Sequence, residues 1–388
     1  MDLSVVVPTL NGRDQLAACL DALAAYAPRA EVIVVNGPSA DGTTGMVRDR
    51  NDVDVLVETS DRTVNVARNA GIEVATGDVV ALVDYDNRID ESWIDAVTAG
   101  LERGDVVTGP VRRAEQTSED GESPSEDGES PSEDDESPSE DGESPSEDGE
   151  PPSEDVERLN GEDGPSNGED GPERRTIAGR DVAYFAGGNV VFRRSTLRDL
   201  DGFDEYLHTG GARDTAHRLA NMGHDVVWES GLAVTKEIPA RTAADGGRDS
   251  RDWEWKYRAL SYRLLKNYGV RPSVLARTGS HAVSDAVTTA RDVVRGEATP
   301  SGWFGNGRDV VFGIATGVSD GMLARAKDRS PARNPSGLSK RADRAVAKYD
   351  ERTESESETK TESETKTESE TKTESETKTE SESDTDPK

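Results

Sequence analysis

The chain has 388 residues and a formal net charge of −33 at pH 7, because 79 Asp and Glu outnumber 46 Lys and Arg. A chain this acidic is not expected to bind nucleic acid, whose phosphates would repel it. No stretch approaches the roughly 20 apolar residues that a membrane-spanning helix needs. Cys19 is the only cysteine, so no intrachain disulfide can form, which is typical of a reducing, cytoplasmic compartment. The N-terminus has no basic region before its first apolar run, so no signal peptide is predicted.

The excess of acid is confined to two low-complexity segments. Residues 115–173 contain 25 Asp and Glu and one Arg, with a repeating Ser-Glu-Asp-Gly-Glu-Ser-Pro, and residues 350–388 contain 15 acidic and 6 basic residues. The rest of the chain has 39 of each and is neutral. Like charges with Pro, Gly and almost nothing apolar predict disorder. We therefore predict a disordered insert at 115–175 and a disordered tail at 350–388, both acting as solvated spacers.

Hydrophobic patterning before the insert predicts alternating strands and helices. Leu16, Leu20 and Leu23 recur at helical spacing, and Asp41 is predicted to be the N-cap of the second helix. This β-α-β order predicts a parallel sheet with helices on both faces, joined by right-handed crossovers. The predicted strands are 3–7, 31–35, 53–57, 79–83 and 105–108, and the predicted helices are 13–26, 41–50, 62–75 and 91–101.

Regular structure is predicted to resume near Ala183, with strands at 190–192 and 225–228 and helices at 194–200 and 214–222. Because the fold resumes after the insert, one α/β domain is predicted, formed by residues 1–114 and 176–235. A long surface loop is tolerated because closing it costs only about 0.6 kcal/mol per doubling of its length. Residues 236–349 are predicted to be a helical, basic appendage that contains an aromatic helix near 252–268.

The most informative stretch is the apolar run Val79–Val83, which stops at Asp84-Tyr85-Asp86. A short continuous apolar run predicts a buried strand of a parallel sheet. Ligands of open α/β sheets bind at the carboxyl ends of the strands, where these two carboxylates emerge. Asp84 and Asp86 are therefore predicted to hold Mg²⁺ or Mn²⁺, which would neutralise substrate phosphates.

The chain resembles the family 2 glycosyltransferases, which are inverting enzymes with a GT-A fold. The resemblance rests on ordered blocks over about residues 1–235 outside the insert. It implies a Rossmann-like, mostly parallel sheet that binds a nucleotide-diphospho-sugar. The blocks include Val-Val-Val-Pro-Thr-Leu-Asn at 5–11, Asn-Gly-Pro-Ser-Ala-Asp at 36–41, Ala-Arg-Asn-Ala-Gly at 67–71, Asp-Tyr-Asp at 84–86, Gly-Gly-Asn at 187–189 and Gly-Gly-Ala-Arg-Asp at 210–214.

Carried over residue by residue, the resemblance implies a set of nucleotide-sugar contacts. The loop after the first strand would hold the base and ribose. Asn36 stands where the family usually has an Asp that accepts from the uracil N3–H, so it would accept without charge assistance. Arg68 would point towards the diphosphate. The implied nucleotide-sugar-binding residues are Pro8, Thr9, Asn11, Asn36, Arg68, Asn69 and Asp84.

The resemblance also implies that Asp214 is the catalytic base, which takes the proton of the acceptor hydroxyl. The family commonly has a Glu-Asp pair here, whereas this chain has Arg213-Asp214. Asp214 would lie near a helix N-terminus, which favours its ionised form; the alternative is an N-cap without chemical function. His208 and His217 are close in sequence, and a surface or structural role is predicted for each.

The resemblance is greatest to archaeal enzymes that extend dolichol-phosphate-linked glycans in surface-glycoprotein N-glycosylation, often with a UDP-hexuronic acid. It therefore implies a UDP-sugar as the sugar donor and a lipid-linked glycan as the acceptor. Arg213 could pair with a hexuronate carboxylate. Two alternatives remain: a non-catalytic scaffold whose acidic arms bind basic partners, and nucleotidyl transfer, for which the Gly-rich basic loop is missing.

A basic segment near the C-terminus predicts a peripheral location on the inner face of the cell membrane. Residues 323–348 contain eight Lys and Arg against two Asp, and Val310–Ile314 supplies apolar side chains just before them. Basic segments attract anionic headgroups by about 1 kcal/mol per charge near the surface. The alternative is a basic linker that balances the acidic tail.

Overall fold

The structure is a computed structural model that describes residues 1–114, 171–237, 253–295 and 300–352. The acidic repeats, whose disorder is predicted from sequence, lie outside these residues. Within them, no helix is long and apolar enough to cross a membrane.

Strands and helices alternate along the first half of the chain as predicted. The strands of the described residues are β1 (Leu3–Thr9), β2 (Glu31–Asn36), β3 (Val55–Thr59), β4 (Val79–Val83), β5 (Asn87–Ile89), β6 (Val106–Thr108), β7 (Val111–Arg113), β8 (Arg174–Ile177), β9 (Arg180–Ala183), β10 (Asn189–Arg193), β11 (Val226–Trp228), β12 (Val234–Lys236) and β13 (Ala345–Asp350). The helices are α1 (Arg13–Tyr26), α2 (Thr43–Arg48), α3 (Val64–Val74), α4 (Trp93–Arg103), α5 (Arg194–Asp199), α6 (Gly211–Met222), α7 (Trp253–Tyr268), α8 (Pro272–Arg295) and α9 (Pro300–Lys327).

The main sheet has the order β11-β6-β10-β4-β1-β2-β3-β13. Strands β1 to β4 are parallel, whereas β10 runs antiparallel between β4 and β6, and β13 runs antiparallel to β3. Side chains alternate across β1, so Val6 enters one core while Val5 and Val7 enter the other. The α/β fold with a mostly parallel sheet between helical layers is therefore confirmed.

Two predictions about local structure were wrong. Asp41 is not the N-cap residue, because α2 begins at Thr43 and Gly42 precedes it with φ +82°. The Asp41 carboxylate still accepts the Thr43 N–H at 3.1 Å, so it satisfies an N-terminal donor from one position earlier. Regular structure resumes at Arg174, not near Ala183, because β8 and β9 form a hairpin with few apolar residues.

The C-terminal helices are present as predicted, but they are part of the core and not an appendage. Tyr257, Leu264 and Leu265 of α7 are buried in the same apolar cluster as Val6. Helix α9 crosses α7 closely because glycines face it. A Cβ at Gly313, Gly317 or Gly321 would lie 2.2, 2.3 or 2.6 Å from a carbonyl oxygen of Glu254, Arg258 or Tyr262 respectively.

The basic segment 323–348 is also not a linker. Arg344 is buried and pairs with Glu205 and Glu73, and Arg341 pairs with Asp61 and Glu205. The segment continues into β13, which covers the edge of β3. The sequence did not predict this strand, because most side chains of Ala345–Asp350 are exposed and carry no apolar alternation.

Candidate functional site

A cavity of about 310 Å³ opens at the carboxyl ends of β1 to β4, where open α/β sheets bind ligands. The structure brings five of the residues predicted from sequence into this cavity. The Thr9 hydroxyl is buried there without a hydrogen-bond partner among the described residues, as expected of a group that meets a ligand. The residues concerned are Pro8, Thr9, Arg68, Asp84 and Asp86, and they are joined by Asp61, Tyr85, His208, Thr209 and Lys236.

Asp84 is held in place from two sides. The Nη2 atom of the buried Arg68, on α3, lies 3.3 Å from Asp84 Oδ1. On the other side the Asp84 N–H donates to the Gly188 carbonyl at 3.1 Å. A Cβ at Gly188 would lie 2.0 Å from Asp84 Cγ, so the chain needs glycine at this close approach. The Asp84 carboxylate therefore has a fixed direction at the cavity wall.

Asp86 also lines the cavity, with Oδ2 3.1 Å from Lys236 Nζ. Burial raises the pKa of the Asp86 carboxyl, repulsion from Asp84 raises it further, and Lys236 opposes both effects. The two carboxylates thus crowd each other in a partly desolvated place. Lys236 ends β12, which pairs with β5 and β7, and no local sequence signal predicted its position here.

The donor set fits a divalent metal ion. Mg²⁺ and Mn²⁺ prefer oxygen ligands, and Mg²⁺ is commonly held by one or two carboxylates together with substrate phosphates and water. Within the described ranges no third acidic, His or Cys side chain joins Asp84 and Asp86. The mutual repulsion of these two carboxylates is the feature of the site that a bound cation would relieve.

Asn36 and Asn11 do not line the cavity. The buried Asn36 amide donates to Thr44 Oγ1 at 3.0 Å, and its oxygen accepts from Ser39 at 2.7 Å. Asn11 accepts the Ala40 N–H at 2.8 Å. Both residues join the loops that follow β1 and β2 and so help to shape the cavity, while their predicted contact with the nucleotide stays a prediction.

Asn69 also lies outside the cavity lining. Its buried side chain donates to the Phe203 carbonyl and to Glu205, and accepts the Phe203 N–H at 2.8 Å. It holds the chain between α5 and α6 against α3. Asn69 is not among the residues that line the cavity, so its predicted contact with the nucleotide-sugar stays a prediction.

Asp214, the predicted base, is fully buried in an ionic cluster. It accepts from Lys266 Nζ at 2.7 Å, from Arg218 Nε at 2.8 Å and from Asn267 Nδ2 at 2.9 Å. Burial alone would raise its pKa, but the cations of Lys266 and Arg218 lower the pKa of Asp214 to about 2. A base must reach the hydroxyl that it deprotonates, whereas in this structure the Asp214 carboxylate is enclosed by its three partners.

The two neighbouring histidines differ. His217 is buried, with Nδ1 2.8 Å from the Tyr268 hydroxyl, and burial holds its pKa well below the usual value. His208 is exposed, lines the cavity and stacks on Trp255 with ring centroids 4.2 Å apart. The predicted structural or surface role agrees with the buried position of His217 and with the exposed position of His208, and His208 in addition lines the cavity.

Comparisons with known proteins agree with this fold. The model of the family described as Glycosyl transferase family 2 matches residues 4–151. Glycosyltransferase AglE of Haloferax volcanii is 30% identical over 100 residues, which cover 24% of this chain and 33% of that protein. The uncharacterized glycosyltransferase YibD of Escherichia coli is 36% identical over 91 residues, which cover 22% and 26%. The chain therefore spans about a third or less of these curated relatives.

A solved structure extends the likeness along most of the chain. S. aureus TarS 1-349, in complex with UDP-GlcNAc, has a TM-score of 0.50 and 16% identity, with 86% of this chain and 88% of that chain covered. At this identity the likeness concerns the fold. Together with the match over residues 4–151, it shows that this chain has a GT-A-like α/β fold and is similar to the family 2 glycosyltransferases.

Proposed function

We propose that the chain is an inverting, metal-dependent glycosyltransferase that uses a nucleotide-diphospho-sugar. The observation that carries the proposal is the convergence of Asp84, Asp86 and Arg68 at the carboxyl ends of β1 to β4. Carboxylates with an adjacent guanidinium are suited to a metal–diphosphate group. The solved relative with UDP-GlcNAc supports a nucleotide-sugar as the sugar donor, and the partnerless Thr9 hydroxyl would meet its nucleotide.

We propose a separate role in sugar transfer for several charged residues of the cavity. Asp84 and Asp86 would hold Mg²⁺ or Mn²⁺, which stabilises the charge of a departing nucleoside diphosphate. Arg68 keeps Asp84 in position, and Lys236 adds positive charge beside the leaving group. The acceptor hydroxyl attacks C1 of the sugar from the face opposite to the diphosphate, so the configuration at C1 inverts.

His208 is the group that we propose as the base. Asp61 is engaged by Arg341, and Asp84 and Asp86 face the metal position, whereas His208 lines the cavity with an exposed imidazole. Histidine is the commonest general base because its ordinary pKa lies close to neutral pH. Trp255 stacks against the ring and would fix its orientation.

We expect the full chain to release UDP or another nucleoside diphosphate from its sugar conjugate only when Mg²⁺ or Mn²⁺ is present. His208→Gln should bind the nucleotide with unchanged affinity but turn over about 10²- to 10⁴-fold more slowly, which is the usual contribution of a general base. Calorimetric titration with UDP and single-turnover sugar release measure the two quantities separately.

The results of these two measurements distinguish a glycosyltransferase from a non-catalytic scaffold and test His208 as the base. Nucleotide binding without any release in the wild-type chain would favour the non-catalytic scaffold. Release by His208→Gln at the wild-type rate would remove His208 as the base and leave the glycosyltransferase assignment intact. Asp95→Asn, an exposed change on α4, controls for non-specific effects of a substitution.

For the acceptor we propose a lipid-linked glycan, extended in surface-glycoprotein N-glycosylation, with a hexuronic acid as the transferred sugar. The support is the Asn-Gly-Pro-Ser and Gly-Gly-Ala-Arg-Asp blocks, together with the match to a Haloferax volcanii enzyme. Arg213 does not reach the donor cavity; it pairs with Glu173 at 3.2 Å and lies over the Tyr184 ring. The lipid-linked oligosaccharides of a deletion strain would stop one sugar short if this assignment holds.

We also propose that the chain binds the cytoplasmic face of the membrane. A cavity of about 250 Å³ is lined by five arginines and no described acidic residue. Val311, Phe312 and Leu323 are exposed on α9 and would add apolar contacts. Headgroup phosphates suit such a surface. The arginines are Arg180, Arg271, Arg325, Arg329 and Arg333, three of them from the segment predicted to be basic.

Replacing the exposed Arg271 and Arg329 with Gln should weaken partition onto anionic liposomes roughly 30-fold, at about 1 kcal/mol per charge. The matched control is Arg29→Gln with Arg198→Gln, which removes the same charge from exposed positions elsewhere. Liposome flotation at low salt measures the partition. Equal flotation of the two double variants would remove this arginine surface as the membrane contact.

A further inference from the structure

A second cavity, of about 140 Å³, lies behind the wall of the sugar-donor cavity. Two chain segments separate the two spaces. The loop after β9 runs from Tyr184, in the second cavity, to Gly188, which contacts Asp84. The segment before α6 carries His208 in the first cavity, and two residues later a Cβ at Gly210 would lie 2.7 Å from Arg263 Nη1. The second cavity therefore adjoins the place where the sugar is transferred.

Arg263 is the unusual group in this cavity. The residue is 8% exposed, yet no described residue accepts a hydrogen bond from its guanidinium or forms an ion pair with it. Burying a charge without a partner is costly, so such groups are normally paired or meet a ligand. Burial and repulsion from Arg213 together lower the pKa of Arg263 to about 10, with Tyr184 and Asp214 acting in the opposite direction, which leaves a full positive charge at neutral pH.

The surrounding charges are also positive. Arg175, Arg213, Arg263 and Arg277 line the cavity against one carboxylate, that of Glu173. Glu173 is already shared, because it lies 3.2 Å from Arg213 Nη2 and 3.1 Å from Arg175 Nε. Two further acids act on this region. Asp285 is bound by Lys256 and by the Tyr257 hydroxyl, and Asp214, which attracts Arg263 electrostatically, is bound by Arg218 and Lys266.

His281 adds a neutral hydrogen-bonding group to the same cavity. Burial lowers its pKa to about 4, and the cations of Arg277 and Arg263 contribute, with Lys256 acting in the same direction and Asp285 against it. At neutral pH the imidazole is therefore uncharged and can donate one hydrogen bond. The cavity holds several water volumes of about 30 Å³, enough for a group of the size of phosphate or carboxylate.

We propose that this cavity binds an anionic group of a substrate, a phosphate or a carboxylate, with Arg263 as its central ligand and Arg213 and Arg277 beside it. Planar guanidinium groups bind both oxyanions through paired hydrogen bonds. The anion would belong either to the acceptor or to the transferred sugar. The role of the anion as part of a substrate rests on the proposed glycosyl transfer. The binding of an anion in this cavity does not depend on that function.

The first test uses inorganic phosphate and the full chain. The sequence contains four histidines, so the His281 resonance can be assigned by comparison with His281→Gln. We expect phosphate to shift this resonance and to raise the pKa of His281, because a bound anion favours imidazolium. Arg263→Gln should weaken phosphate binding about 10- to 100-fold, the loss typical of hydrogen bonds to charged groups. Arg198→Gln, an exposed change of equal charge, should leave it unaltered.

The stability of the Arg263→Gln variant shows whether Arg263 binds a ligand or holds the fold together. Because no described group pairs with Arg263, Arg263→Gln should unfold in urea at the same midpoint as the wild type or at a higher one. A lower midpoint would show that the guanidinium holds the fold through a partner, which would overturn the proposal. An unchanged phosphate affinity in Arg263→Gln would overturn it as well.

Kinetics identify the source of the anion. A raised acceptor KM in Arg263→Gln, with unchanged affinity for the nucleotide-sugar, assigns the anion to the acceptor. Weaker binding of a UDP-hexuronic acid, but not of the matching neutral UDP-hexose, assigns it to the transferred sugar. If UDP binds equally well to the wild type and to Arg263→Gln, the substitution has not affected the nucleotide site. A failure of the anion proposal would then leave the proposed function unaffected.

Discussion

Asp86→Asn should abolish most transfer, with a loss of about 10²- to 10³-fold in kcat/KM, because one of two metal-holding carboxylates disappears. Transition-state stabilisation by a metal is worth several kcal/mol, and each 1.4 kcal/mol is a factor of ten. The affinity of the donor cavity for Mn²⁺, followed by calorimetry in the presence of UDP, should fall in parallel. Asp95→Asn should change neither quantity.

The same substitution should not weaken the fold. Burial and Asp84 raise the pKa of Asp86, so its contribution to stability is present at acidic pH and is lost as the pH rises through the folded-state pKa. At neutral pH the ionised group therefore opposes folding, and an uncharged amide removes that cost. The ion pair that is lost involves the half-exposed Lys236, so it is worth little. Urea unfolding at pH 7 should give an equal or higher midpoint; a large drop would mean that Asp86 is structural.

Asp214→Asn should have the opposite effect to Asp86→Asn. We expect a large loss of stability and little loss of turnover per folded molecule. Removing one partner from a buried ionic cluster leaves the other charge uncompensated, which costs about 3–5 kcal/mol. Lys266 would keep Asp204 as a partner at 2.6 Å, but Arg218 would lose its only carboxylate within the described structure. Urea unfolding followed by circular dichroism measures the loss, and turnover is compared per folded molecule.

The pH dependence offers a further check on the same cluster. The pKa of Asp214 is lowered to about 2, so its contribution to stability is present above the unfolded value near 3.8 and is lost as the pH falls towards 2. The stability difference between wild type and Asp214→Asn should therefore shrink below about pH 4. Normal stability combined with a 10²-fold loss of kcat would restore Asp214 as the base.

The two carboxylates that line the cavity of about 310 Å³ could be placed from sequence because their positions depend on short-range patterns. The apolar run Val79–Val83 leaves little choice other than a buried strand, and Asp84 and Asp86 follow it directly. Parallel strands joined by crossover helices end at the same edge of the sheet. The residues that follow β1 and β4 can therefore be predicted to lie close together from the order of the strands alone. The helix Arg13–Tyr26 was predicted with its observed bounds for the same reason, since three leucines define one face.

Asp214 shows where such patterns stop being informative. Its position near the start of a helix is local and was anticipated, but its role depends on Lys266 and Asn267, more than 50 residues further along the chain. Nothing near Asp214 indicates that an aromatic helix will cover it and supply a buried cation. A motif can therefore have the expected residue type at a position, while tertiary packing decides whether that side chain is exposed and can react.

The sequence by itself determined the alternation of strands and helices, the neutral charge of the chain outside the two acidic repeats, and the edge at which two carboxylates emerge. Only the tertiary structure decided which distant side chains complete the cavities. Lys236, His208 and Arg263 come from a short strand, a loop and a C-terminal helix, and their meeting depends on non-local pairing that leaves no periodic trace in the chain. Edge strand β13 is explained in the same way, because its position depends on hydrogen bonding to β3 across almost 300 residues of chain, and not on its own side chains.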